Sequence, residues 1–276
     1  MCIARAVGSF LAALVLVGCG QPAGSDDQAR TLRLTFGAAA HHYRYHTSLN
    51  GTERVAGGGQ VPAAADYAAD AVWRVLAVDR SGAATIDQAL SNITPAAQAS
   101  ARAPHWQFKL APDGQVTSAT NPPQGETQTV TVPGSTQFLA ILPDRPVKPG
   151  DSWSRTVTQP LPAGGGATLI SARSRFERYA TTAGRRVAVI SSQASAPFDF
   201  TVPTQQPASG RTPATTRNLR YQGTLSSRSE TWLDLAGDQL VRVDDAVATD
   251  FTETLQGDSH GSVRFTGTYT LQLDQA

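Results

Sequence analysis

The chain of 276 residues has two cysteines, Cys2 and Cys19, and none after position 19. An internal disulfide is therefore excluded beyond that point, as is a metal site built on thiolates. Lysine is almost missing as well: Lys109 and Lys148 are the only two among 23 basic residues, the rest being arginine. The formal net charge is +1, and no segment gathers basic residues among aromatics, so a nucleic-acid partner has no electrostatic footing. Long helical periodicities are nearly absent, and the longest apolar run, "AVGSFLAALVLVG", is too short to span a bilayer as a mature helix. With 40% hydrophobic and 16% charged residues, the length still suffices for a real core in one large β domain or two small ones.

What is present begins with that run. Arg5 supplies a positive n-region, the apolar stretch follows, and "Leu16-Val17-Gly18-Cys19" ends it. This order resembles the lipobox of bacterial lipoproteins, in which the cysteine thiol receives a diacylglycerol and the signal is cut just before it. The resemblance implies a signal peptide over 1–18 and a lipid (palmitate-bearing) attachment at Cys19. It also implies a cell-envelope location, with Gly20 in the second mature position favouring the periplasm-facing outer membrane in a diderm cell. Removing Arg5 with the signal takes the 23 basic residues to 22, equal to the 22 acidic ones. Acyl chains anchor by burying methylenes at about 0.8 kcal/mol each. Residues 19–30, with "GQPAGSDDQAR", have the composition of a flexible tether.

Past the tether, period-two alternation dominates. Val263, Phe265, Gly267, Tyr269, Leu271 and Leu273 share one face of the last run, and Val241, Val243, Val247, Phe251 and Leu255 one face of the run before it. Leu32, Leu34 and Phe36 repeat the pattern near the start, and Asn50-Gly51 reads as a hairpin turn. One polar and one apolar face argue for antiparallel sheets. Four segments read as strand, turn, strand: around Gly82, Gly114, Gly184 and Gly237. Their recurrence predicts two related antiparallel β modules of about five strands each, over 31–134 and 151–276. Mobile loops are expected at Ala56–Ala65, Pro160–Gly166 and Pro203–Pro213.

Between the modules, residues 135–150 predict a short helix capped by Ser135, carrying Phe138, Leu139, Ile141 and Leu142, and stopped by Pro143. A connector held extended by Pro143, Pro146 and Pro149 follows. The passage "LPDRPVKPGDSW", with the lipobox and β-rich halves, resembles an uncharacterised family of bacterial lipoproteins, a domain of unknown function. That resemblance implies no activity. Asp151 reads as a turn former and Trp153 as a core anchor. The fold class expected is thus all-β or β-dominated, with curved half-barrel-like sheets allowed.

Several apparent sites are discounted. His41 and His42 point to opposite faces of a strand, and His42 and His46 lie roughly 13 Å apart along it, too far to share an ion. His105 and His260 stand alone. "GDSHG", with Ser259 central, spells a nucleophile elbow, but β alternation follows where a helix is needed, so a hairpin turn is the better reading. Asp244 and Asp245 face opposite sides of a strand, and Asp26-Asp27 belongs to the tether. No catalytic, metal or cofactor-binding residue is assigned. The sequence therefore predicts a non-enzymatic, membrane-anchored envelope lipoprotein that binds a hydrophobic or lipid-like ligand on a sheet face, by analogy with the open half-barrels of lipoprotein carriers. The alternative is a structural or protein-interaction lipoprotein without a ligand cavity, and a serine hydrolase through Ser259 is the remote one.

Overall fold

The computed structural model describes residues 28–55, 58–95, 105–120, 137, 139–160, 167–206, 215–255 and 262–276. The expected signal, the expected tether from Cys19 to Asp27, Ser135 and Phe138 of the expected helix, Ser259 and His260 lie outside them. Eleven strands follow in chain order: β1 His41–Val55, β2 Gln60–Val78, β3 Ala84–Thr94, β4 His105–Leu110, β5 Val116–Thr120, β6 Ser152–Pro160, β7 Ala167–Thr182, β8 Arg185–Gln206, β9 Thr215–Asp234, β10 Gln239–Leu255 and β11 Ser262–Gln275. All belong to one antiparallel sheet in the order β5-β4-β3-β2-β1-β11-β10-β9-β8-β7-β6. Each half of the chain is a contiguous block of that sheet. β1 and β11 join the blocks, in register from Tyr43 opposite Gln275 to Val55 opposite Val263. One core cluster draws on both halves, with Tyr43, Trp73 and Ile86 from the first packed with Phe176, Ile190 and Val243 from the second.

The alternation read in the sequence builds these strands. β7 buries Thr168, Ile170, Ala172, Ser174 and Phe176 and exposes the residues between them. All four expected hairpins form, and Gly82, Gly114 and Gly184 take the left-handed φ values of +83°, +82° and +76° that their turns require. These turns share one end of the sheet, the turn end; the opposite end is the loop end.

Four expectations are corrected. Asn50-Gly51 is not a turn but lies mid-strand in β1, because Gly51 faces Gly267 and the Phe265 ring, where a Cβ would meet that ring at 2.8 Å. Gln60–Ala65 and Pro203–Gln206 extend β2 and β8 instead of forming loops. Leu32 and Leu34 do not form a strand: the segment makes a single bridge, Arg30 to Val147, and drops both leucines into the turn end of the core.

The short helix is the fourth, since there is no helix among the described residues. Leu139, Ala140, Ile141 and Leu142 are all buried, which a one-faced surface helix cannot achieve. Their backbone groups are satisfied by other parts of the chain. The Ala140 amide donates to Thr231 Oγ1 at 3.1 Å, the Leu142 amide to the Asp113 carbonyl at 2.6 Å, and Trp153 Nε1 to the Ile141 carbonyl at 2.8 Å. Gln137 takes the Val116 amide on its Oε1 and donates from Nε2 to the Gly114 and Leu139 carbonyls. The connector is thus a strap threaded into the core. It also brings the two sheet edges together: Gln115 Nε2 donates to the Thr158 carbonyl at 3.2 Å and Arg155 Nη2 to Asp113 Oδ2 at 3.2 Å. The sheet therefore curls on itself without a ladder between β5 and β6.

Candidate functional site

A cross-strand register converts residues far apart in sequence into rows on one sheet face. On the outer, polar face, Arg173, Gln193 and Arg228 are successive partners on β7, β8 and β9. Beside them run Ser171, Ser195 and Ser226, continued by Ala248 on β10 and Thr268 on β11. Ser154 and Thr156 of β6 close the other flank. These small side chains floor a groove of about 690 Å³ that spans β6 to β11. Of the arginines lining it, Arg173 and Arg228 belong to this face while Arg155 alternates to the other, and no carboxylate among the described residues lines it.

The charges around the groove are already satisfied. Toward the turn end, Arg175 faces Glu177 at 3.7 Å, Trp232 Nε1 donates to Glu230 at 2.6 Å, and Arg242 Nε donates to Asp244 at 2.8 Å. Toward the loop end, Arg220 grips Asp199 and Arg264 grips Asp250 through two nitrogens each. These partners hold the Asp199 and Asp250 carboxyls below their ordinary value. Arg155 is engaged by Asp113 and the Leu142 carbonyl. Arg173 and Arg228, both exposed, have no hydrogen-bond or ion-pair partner among the described residues.

The inner face carries two further features. Ser174, Ser192, Ser229 and Asp245 form a polar row across β7 to β10, with the Ser174 and Ser192 hydroxyls 3.0 Å apart. Asp245 sits between Val243 and Val247, is buried, and has an Oδ1 without a hydrogen-bond partner among the described residues. Desolvation pushes its carboxyl up to about 7. Beyond this row, toward the loop end, Phe198, Phe200, Tyr221, Phe251 and Phe265 form a chain of ring contacts, the closest being Phe200 and Tyr221 stacked at 5.2 Å. Burial, with Glu253 second, pushes the Tyr221 hydroxyl up to about 12.

The residues singled out in the sequence are dispersed by the fold. His41 is half-buried on β1, His42 is exposed, and His46 Nε2 lies 2.8 Å from Asp66 Oδ1. No group of three His, Cys, Asp or Glu side chains suited to a metal ion occurs among the described residues. Asp151 accepts the Lys148 amide on Oδ2 at 3.0 Å, and Trp153 is buried beneath the connector. Asp244 and Asp245 do face opposite sides. Of the two, Asp245 is the buried one, as its place in the Val243, Val247 alternation implies. Arg173 and Arg228 were not singled out, because only the β7–β8–β9 register brings them together. No protein-family model matches the chain, and a search of curated proteins finds no match.

Proposed function

We propose that this chain is a non-enzymatic binding lipoprotein of the bacterial envelope, anchored through Cys19 and recognising its ligand on the outer sheet face. The observation that carries the reading is the contrast between the two faces. Inside, Leu139, Ala140 and Leu142 of the strap pack into the main apolar core and the aromatic rings pack on one another; outside, a groove carries two arginines that have no partner among the described residues. The first described residues enter at the turn end, where Arg30 pairs with Val147 and donates to the Leu235 carbonyl. The nine residues from Cys19 to Asp27 can span at most about 30 Å, which would hold that end near the membrane and the groove farther out. Metabolic labelling with palmitate tests the anchor. The wild-type chain should incorporate label, Cys19→Ala should not, and labelling of that variant would refute the anchor.

A hydrophobic or lipid-like ligand is the second reading, favoured by half-buried Phe251 and Leu219 at the rim of the aromatic cluster. Here the lipid-free chain from Ala23 onward would carry amphiphiles that solvent extraction and mass spectrometry detect. Their repeated absence, with no thermal shift on adding fatty acids, would remove this reading.

A further inference from the structure

We propose that the outer groove binds a carboxylate-bearing polysaccharide, with Arg173 and Arg228 each pairing with one uronate group. This rests on the reading of the outer face as the recognition surface and names its ligand class. Arg173 and Arg228 are two strands apart, so their backbones stand about 10 Å from each other. Single guanidinium groups at that separation suit isolated carboxylates along a chain, each held through two parallel N–H···O bonds. The Gln193 amide lies between them in the same row. The hydroxyls of Ser171, Ser195 and Ser226 supply donors and acceptors for sugar hydroxyl groups along the neighbouring row.

Charge complementarity is local, because the acidic side chains on either side of the groove are taken by Arg175, Arg242, Arg220 and Arg264. The groove lining contains no aromatic ring among the described residues, whereas single-stranded nucleic acid is held largely by stacking on such rings. A groove whose lining crosses six strands, from β6 to β11, also offers length for a chain rather than a compact ion. No covalent step is involved.

The test uses the mature lipidated protein in neutral-detergent micelles and fluorescently labelled polygalacturonate, read by anisotropy. Wild type should bind, and unlabelled neutral dextran should not compete. R173Q/R228Q should weaken binding at least tenfold, as should Q193E, which sets a carboxylate between the two arginines. R264Q removes one positive charge from a pair outside the groove, the same net change as Q193E, and should leave affinity within twofold. Matching unfolding midpoints for these exposed-site variants establish that loss is not misfolding. The proposal is overturned by absence of binding, or by equal loss in R264Q. Stronger displacement by oligothymidylate, or by glycerophosphoglycerol as the soluble headgroup of an anionic lipid, would also overturn it. Palmitate labelling at Cys19 is independent of the groove, so failure here leaves the anchor standing and failure there leaves the groove standing.

Discussion

At the residue scale, two buried side chains dominate the expected behaviour. Asp245 faces Ser229 across β9 and lies between Val243 and Val247, so desolvation alone raises its carboxyl to about 7 from an ordinary 3.8. Below pH 3.8 both folded and unfolded chains hold the proton. Between there and about 7 only the folded chain does, so stability falls as pH rises and the loss is complete above 7. The difference corresponds to about 4 kcal/mol at about 1.4 kcal/mol per tenfold. Urea unfolding at pH 5 and pH 8 should show Asp245→Asn flattening this fall and exceeding wild type at pH 8; an unchanged slope would contradict the assignment. Trp153 is the second. It is buried and donates to the Ile141 carbonyl, so Trp153→Ala should cost about 3–5 kcal/mol. Trp153→Phe should cost less, but more than packing alone, because it leaves that carbonyl without its donor.

At the element scale, the strap between β5 and β6 decides how the sheet closes. Gly114 and Gly184 both occupy turns with positive φ, at +82° and +76°. A Cβ on Gly184 meets nothing within 4 Å, whereas one on Gly114 would sit 2.6 Å from the Ala140 carbonyl oxygen of the strap. Gly184→Ala should therefore cost about 1–2 kcal/mol from its backbone conformation. Gly114→Ala should cost clearly more, read as a larger drop in denaturant midpoint. Equal costs would mean that the strap yields at no expense. The strap was the part of the chain least legible in sequence. The pattern Phe138, Leu139, Ile141, Leu142 fits a helix locally. Only Thr231, Asp113 and Trp153, from three other places, together with Gln137 of the strap itself, make a non-helical, buried course over 139–142 preferable.

At the scale of the whole molecule, the hairpins were legible because alternation and turn chemistry are local properties. The joining of both halves was not, since Tyr43 meets Gln275 only through the register of β1 with β11. The same reason hid the groove, whose two arginines become neighbours through Gln193 on an intervening strand. Because the halves share a sheet and a core, calorimetric unfolding should show one cooperative transition. The fragment 31–134 alone should show none, having lost β11 along with Leu139, Leu142 and Val147 from its core; two separate transitions would mean that the halves unfold independently. The most direct measurement of how firmly the strap occupies the interior, on which recognition at the outer face depends, is native-state hydrogen exchange at the strap. The amides of Ala140 and Leu142 should exchange as slowly as those of Val187–Ile190 in β8, by global unfolding only. Fast exchange at Ala140 and Leu142, with β8 still protected, would mean that the strap leaves the core readily and that the interior, not the outer groove, is the space to be filled.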